Sequence, residues 1–198
     1  ASAGVVGRSW PDAPGGSAYV YTRSGTAWAQ QAKLTASDAS DGGQFGVSVD
    51  LEGDTAVIGA SQQTGVGAYT GAAYVFKRTG TSWAQDARIV DAAGASSDGF
   101  GRDVALDGDT VLITAPGDNG NVADSGTAFI FADEGAAWVE QAKLWATDTE
   151  AWDMFGFSGA LDGDTAIVSA RYADTAYADS GAVYAFTHGA SGWSFDAR

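Results

Sequence analysis

Short apolar runs alternate with glycine- and aspartate-rich breaks along the whole chain. The runs "TAVIGA", "TVLITA" and "TAIVSA" each follow an acidic turn, "EGDT" or "DGDT". Alternating, β-branched residues on both sides of a Glu-Gly or Asp-Gly pair predict a tight antiparallel hairpin, because glycine tolerates the positive φ that such turns require. The apolar pattern therefore predicts β-strands, and helical periodicity is nearly absent.

The same landmarks recur with a period of 55 residues. Phe-Gly pairs begin at Phe45, Phe100 and Phe155. Tryptophans occupy the matching positions Trp28, Trp83, Trp138 and Trp193. Because several independent landmarks keep one period, the chain is an array of structural repeats.

Each repeat contains four apolar runs, and the pattern of the fourth run fits either a helix or a strand in some copies. The stretch "AWAQQAKLTA" could be helical, but its counterpart "GWSFDAR" could not, so we assign both to strands. Four antiparallel strands in a unit of this length are typical of a β-propeller blade. The prediction is an all-β, β-propeller-like array of four-stranded antiparallel blades in one domain, residues 1–198.

The array is expected to contain about three and a half blades. A partial blade covers residues 1–36 and supplies two strands, and complete blades cover about 45–90, 100–145 and 155–198. This division predicts 14 strands and open blade edges, which invite pairing with other chains. Three arrangements would cover such edges: a longer parent chain, other copies of the chain, or a small irregular ring.

The periodic aromatic residues are expected to fill the space between neighbouring blades, where large rings bury most surface. Sugar stacking is the functional alternative for these rings. Trp10, Trp145 and Trp152 do not follow the period and are better candidates for exposed contacts.

The composition is strongly acidic, with a formal net charge of −15. Such a charge argues against nucleic acid and anionic membrane surfaces as partners, since both repel it. Salt should screen the self-repulsion and stabilise the fold. Many of the aspartates are expected to form turns. Adaptation to a salt-rich habitat would also explain the excess of aspartate. The chain has no cysteine and no apolar run long enough for membrane insertion.

Catalytic chemistry finds little support in the sequence. The only histidine, His188, lies in a predicted turn, and a lone histidine without cysteine does not make a typical zinc site. Most carboxylates are periodic, whereas a catalytic pair should be unique. The one unrepeated acidic and aromatic cluster is a candidate for sugar contact, and it consists of Asp148, Glu150, Trp152 and Asp153.

The order of Phe-Gly, strand, acidic turn and strand resembles the FG-GAP repeat, particularly its prokaryotic branch. The stretches that carry the resemblance are "WAQQAKL" from Trp28 and "FGRDVALDGDT" from Phe100. The resemblance implies an integrin-α-like β-propeller. Integrin-type repeats often bind Ca²⁺ in the first hairpin, but here that hairpin is only "LEGDT" or "LDGDT", too short to wrap the ion. We therefore assign no metal to it.

Another loop is a candidate for Ca²⁺ because of its oxygen-rich side chains. The stretch "PGDNGNVADSG" offers Asp118, Asn119, Asn121 and Asp124. The spacing differs between repeats, which favours a solvated turn over a repeated metal site. No cofactor is expected to be required, while Ca²⁺ binding stays open.

The sequence thus predicts a non-enzymatic, extracellular or cell-surface module for recognition, adhesion or assembly. Loops 62–70, 117–125 and 172–180 vary most between repeats, and variable loops on a fixed frame are where binding usually occurs. The expected partner is a protein or another copy of the chain that pairs with the open blade edges, with a glycan as the alternative. The first alternative is a carbohydrate-binding propeller, and a glycoside hydrolase is the less favoured second alternative.

Overall fold

The computed structural model describes residues 3–8 and 15–198, and within these ranges it contains strands and no helix. Trp10 lies outside the described residues. The strands are β1 (Ala3–Arg8), β2 (Ser17–Ser24), β3 (Ala27–Leu34), β4 (Val49–Glu52), β5 (Thr55–Ala60), β6 (Ala72–Thr79), β7 (Ser82–Ile89), β8 (Val104–Asp107), β9 (Thr110–Ala115), β10 (Thr127–Asp133), β11 (Trp138–Leu144), β12 (Phe155–Asp162), β13 (Thr165–Ala170), β14 (Ala182–Gly189) and β15 (Gly192–Ala197).

These strands form four antiparallel sheets in chain order. The first sheet contains β1–β3, and each of the other three contains four consecutive strands, β4–β7, β8–β11 and β12–β15. The prediction of an all-β, propeller-like array of four-stranded units is confirmed. The stretch "AWAQQAKL" is strand β3, as assigned.

The first sheet differs from the prediction because it has three strands rather than two. Strand β1 pairs with β2 so that Gly7 lies opposite Ala18, just as Gly59 lies opposite Ala73 one repeat later. Gly7 and Gly59 are 52 residues apart rather than 55, so the segment between β1 and β2 is three residues shorter than that between β5 and β6. A strict 55-residue period therefore ended this strand too early.

Hydrophobic cores lie between consecutive sheets. Each core joins an aliphatic face of one sheet to an aromatic face of the next: Val57 and Val75 of the second sheet, for example, pack with Phe129 and Phe131 of the third. The Phe-Gly phenylalanine sits between the two, and Phe100 contacts Phe129 edge-on with ring centroids 5.2 Å apart. Repetition of this arrangement at all three junctions explains the periodic aromatic positions.

The periodic tryptophans follow the same rule with one exception. Trp83, Trp138 and Trp193 pack against the three cores as partly buried rings. Trp28 is mostly exposed, because it belongs to the outward face of the first sheet. The inter-blade packing prediction therefore holds wherever a sheet has a neighbour on its aromatic side.

A glycine at the start of each third strand allows the backbones of neighbouring sheets to touch. Gly71 forms a parallel bridge with Phe100, and Gly126 does so with Phe155. A Cβ at Gly71 would lie 2.0 Å from the carbonyl oxygen of Phe100. These positions also have a φ of 92°, so both the close approach and the backbone conformation require glycine.

Acidic side chains of the first strands hold the next sheet by hydrogen bonds. Asp103 accepts bonds from the hydroxyls of Ser48 (2.6 Å) and Ser158 (2.7 Å) and from the amide of Gly159 (3.0 Å), and so connects three sheets. Asp50 likewise accepts a bond from the amide of Leu106. Some of the acidic residues therefore tie sheets together rather than only forming turns.

The described residues contain no helix that is long and apolar enough to cross a membrane.

Candidate functional site

The strand order places all long loops at one end of the sheets. Within every four-stranded sheet the chain makes a short hairpin, then a long loop, then a second short hairpin, and a long loop leads to the next sheet. Because neighbouring strands are antiparallel, successive connections alternate between the two ends. We call the end with the long loops the loop face; it contains residues 35–48, 61–71, 90–103, 116–126, 145–154 and 171–181.

The opposite end, the hairpin face, consists of short turns. The first hairpin of each complete sheet has only two residues, 53–54, 108–109 and 163–164, and its glycine has a positive φ, as predicted. His188 lies near this end with an exposed ring, 3.4 Å from a carboxylate oxygen of Asp164. The ring stacks beside Trp193.

Loop 145–154 contains the candidate sugar-contact cluster, and its members have different environments. Trp152 is 66% exposed. The carboxylate of Asp153 is buried and accepts a bond from the amide of Glu150 (2.8 Å), which closes a turn. Asp148 pairs with Arg198. The structure therefore leaves Trp152 as the member with the most accessible surface.

Asp148 also belongs to an arginine–aspartate pair that occurs at both the second and the fourth sheet. In the second sheet the hydroxyl of Tyr74 donates to Asp38 (2.7 Å), and Arg88 pairs with the same carboxylate (2.9 Å). Two repeats later the same positions hold Tyr184, Asp148 and Arg198. Arg198 pairs with Asp148, but the buried hydroxyl of Tyr184 has no hydrogen-bond partner among the described residues. Burial, first of all, raises the pKa of Tyr184 to about 12, and the negative charge of Asp148 acts in the same direction. Packing accordingly accounts for Asp148.

The Ca²⁺ candidates of loop 116–126 do not share one environment either. Asp118 is buried, where it accepts a bond from Thr127 (2.6 Å) and pairs with Lys143 (2.7 Å). Asn119 accepts a bond from the amide of Asp124 (3.0 Å) within the loop. Asn121 donates to the carbonyl of Thr149 (2.9 Å), which belongs to the neighbouring loop.

The structure brings the two candidate loops together. Besides the bond from Asn121, the amide of Trp152 donates to the carbonyl of Asp124 (2.9 Å). Trp145, Val122 and Trp152 are exposed on these two loops. Two sets of residues that the sequence analysis treated separately thus lie on neighbouring, hydrogen-bonded loops.

Trp152 occupies a backbone position that suits glycine. Its φ is 75°, and the matching residues in the preceding repeats are Ser97 (φ 76°) and Gly42 (φ 78°). A left-handed conformation costs an ordinary L-residue about 1–2 kcal/mol. The exposed tryptophan is therefore held in a conformation that disfavours it, which is a feature of functional positions.

A cluster of buried carboxylates lies beneath the loop face between the second and third sheets. Oxygens of Asp91, Asp98 and Asp118 lie within 4.8 Å of one another. Burial raises the pKa of Asp98 to about 6, and the charges of Asp118 and Asp91 add to this effect. Lys143 opposes it and pairs with Asp118.

Sequence reasoning found only one member of that cluster, Asp118. The matching positions in the other repeats are Gln63 and Ala173, so the cluster is not periodic. A position-by-position comparison of the repeats would have flagged it, because aspartate replaces a buried glutamine there.

The loop face also contains a cavity of about 450 Å³ between the second and third sheets. Its lining is polar and includes Gln44, Ser61, Gln62, Tyr69, Ser97 and Arg102. A cavity of this size lies within the usual range of small-ligand sites, about 300–1,000 Å³. None of these residues was singled out from the sequence.

The repeats themselves match a known sequence family. The family profile of the FG-GAP repeat covers residues 28–76, 83–131 and 138–186, which is most of the chain. The chain belongs to the FG-GAP repeat family. A search among curated proteins found no match.

Each matched FG-GAP repeat runs from the last strand of one sheet to the third strand of the next. One sequence repeat therefore contains one sheet-to-sheet junction, with its Phe-Gly pair and its aromatic face. The family signature describes the strands and the cores between the sheets, which we call the frame. The residues exposed on the loop face differ between the three FG-GAP repeats.

Proposed function

We propose that this FG-GAP protein is a non-enzymatic recognition, adhesion or assembly module that acts outside the cell. FG-GAP repeats occur in integrin-like propeller modules that generally bind other molecules, usually in extracellular domains, and the family is typically non-enzymatic. The particular role and setting of this chain are our inference.

The observation that supports the proposal is the contrast between a repeated frame and an unrepeated loop face. The long loop between the second and third strands of each four-stranded sheet carries Gly67, Val122 or Tyr177 at one matching position. Tyr177 is 80% exposed. Packing does not require an exposed tyrosine. Aromatic side chains supply large contact areas at low entropic cost, which suits binding.

Purified chain tested against immobilised surface proteins and oligosaccharides would examine this proposal. We expect a binder whose affinity falls when Tyr177 and Trp152 are both replaced by alanine. The matched control is Asp109→Ser on the hairpin face, which should keep full affinity. Equal loss in the control, or no binder of either class, would contradict recognition by the loop face.

Assembly with other copies is supported by the two outward sheet faces. Ile167 and Val183 of the last sheet are exposed, although their counterparts Leu112 and Ala128 are buried against the next sheet. Trp28 and Val6 are exposed on the aromatic side of the first sheet. An aliphatic face and an aromatic face are the two halves of every internal junction, so the last sheet of one copy suits the first sheet of another.

Light scattering after size-exclusion chromatography tests this assembly. We expect a mass above that of one chain, and Val183→Asp should lower it. Val66→Asp is the matched control, because Val66 and Val183 are both 54% exposed and Val66 lies on the loop face. A monomeric mass for the unchanged chain would contradict assembly through these faces.

Carbohydrate binding is the alternative that one observation favours, namely the exposed Trp152 in its unfavourable backbone conformation. If this alternative holds, Trp152→Ala abolishes binding to an oligosaccharide panel while Trp145→Ala weakens it. Asp148 and Asp153 are engaged by Arg198 and by the amide of Glu150, so this alternative depends on Trp152 rather than on these carboxylates.

A further inference from the structure

Two arginines on the loop face contact one aromatic ring. The guanidinium carbon of Arg102 lies 4.9 Å from the ring centroid of Phe157, and that of Arg171 lies 4.8 Å from the same centroid. Arg102 precedes β8 and Arg171 follows β13, so both belong to the loop face, and Phe157 lies beside it near the start of β12.

Neither arginine has an ion pair among the described residues. Lys77, Arg78, Arg88, Lys143 and Arg198 all pair with carboxylates. The nearest acid in sequence, Asp103, is engaged by Ser48, Ser158 and the amide of Gly159. Arg23 and Lys33 of the first sheet also have no ion pair among the described residues, so Arg102 and Arg171 are distinguished by their shared contact with one ring on two neighbouring sheets.

The repeat shows that packing does not demand these residues. The position of Arg102 is Val47 one repeat earlier, and the position of Arg171 is Pro116. Neither guanidinium donates a hydrogen bond to the described residues, and contact with a ring does not use its N–H donors, which lie in the guanidinium plane. The donors therefore stay available for an external carboxylate, which guanidinium binds with two parallel hydrogen bonds.

The neighbouring cavity indicates what else the ligand carries. Arg102 lines the cavity of about 450 Å³ together with Gln44, Gln62, Ser61 and Ser97, and the hydroxyl of Ser61 donates to the amide oxygen of Gln44 (2.9 Å). Tyr69, which is also exposed, completes the wall. Amides and hydroxyls that converge beside an accessible aromatic ring suit the hydroxyl groups and the apolar face of a sugar.

We propose that Arg102, Arg171 and the adjacent cavity form a binding site for an oligosaccharide that carries a carboxylate, such as a uronic acid residue. Arg102, which lines the cavity, binds the carboxylate, Arg171 adds a second positive charge at the same ring, and the cavity binds the neighbouring neutral sugar. A polyanion is a poorer ligand, because the net charge of −15 repels its remaining charges. This inference rests on the proposed recognition function and names its ligand class and its site.

Titration with matched sugars tests the inference. Cellobiouronic acid and cellobiose differ only in the carboxylate, and the corresponding galacturonate and galactose oligosaccharides form a second pair. We expect each acidic member to bind at least about tenfold more tightly than its neutral partner, since one charge-assisted contact supplies that difference.

Variants assign the effect to the site. Arg102→Gln and Phe157→Leu should each remove most of this preference, whereas Arg23→Gln, at an exposed arginine on the first sheet, should keep it. Melting temperatures show that each variant is folded. No preference for the acidic members, or a preference unchanged by Arg102→Gln, would overturn the inference. If the chain then still binds a protein or a neutral glycan in a Tyr177- and Trp152-dependent way, the proposed function stands without this site.

Discussion

The hairpin face and the loop face are built from the same strands but obey different constraints. Two-residue turns with a positive-φ glycine repeat at 53–54, 108–109 and 163–164, because hairpins of this length favour a positive φ. The loops at the other end keep their anchoring bonds but change their exposed residues, including Gly67, Val122 and Tyr177. The frame is therefore the same in each repeat, and the exposed residues that differ between repeats lie on the loop face.

The largest expected effect comes from the frame between the two faces. Phe100 is buried at the junction of the second and third sheets. Phe100→Ala should lower the free energy of unfolding by about 3–5 kcal/mol, because it leaves a cavity in a packed core. Urea denaturation measures the change. Tyr177→Ala is the loop-face control and should change the free energy of unfolding by less than about 0.5 kcal/mol. A similar loss of stability in both variants would contradict the difference between the frame and the loop face.

The next effect concerns the bonds that join the first strands of three sheets. Asp103→Ala removes the acceptor for Ser48, Ser158 and the amide of Gly159, and should cost about 1–3 kcal/mol. Asp109→Ala, on the exposed hairpin turn, should be nearly neutral. If chemical denaturation showed the same change in the free energy of unfolding for both variants, the hydrogen bonds of Asp103 would not stabilise the contact between sheets.

A pH effect separates the buried part of the loop face from its surface. Since burial raises the pKa of Asp98 from 3.8 to about 6, the folded chain holds this proton more tightly than the unfolded chain does. This group therefore makes the free energy of unfolding fall as the pH rises from about 4 to about 6, and leaves it constant above that range. Asp98→Asn should remove this component in urea titrations at several pH values; curves parallel to those of the unchanged chain would refute it.

A smaller effect of opposite sign is expected at Trp152. Trp152→Gly should raise the free energy of unfolding by up to about 1 kcal/mol, because glycine adopts a φ of 75° without strain. Thermal denaturation against Trp145→Gly gives the comparison, since Trp145 is not among the residues with a positive φ. Equal destabilisation by both changes would show that Trp152 serves packing rather than contact.

The sequence predicted the frame well because periodic residues report periodic packing. Phe45, Phe100 and Phe155 and the glycines of the first hairpins lie where the 55-residue period placed them. Strand β1 was missed because one shorter loop shifts it by three residues.

The loop face was harder to predict, since its arrangement depends on side chains that occur once. Asp91 and Asp98 meet Asp118 only after the second and third sheets stack, and Arg102 meets Arg171 only across two sheets through Phe157. The sequence places Trp152 on a loop but does not reveal its left-handed backbone or its contact with Asp124. The roles of Trp152 and of the Ca²⁺ candidates stay predictions.

Exchange of one loop for another tests the central claim most directly. The sequence of residues 62–70 can replace that of 117–125, because the two loops have equal length and join equivalent strands. If the frame carries stability and the loop face carries recognition, the melting temperature should change by only a few degrees, roughly 2–4 °C, while the set of bound partners on a protein and glycan panel changes. An unfolded chain, or an unaltered binding profile, would contradict the account.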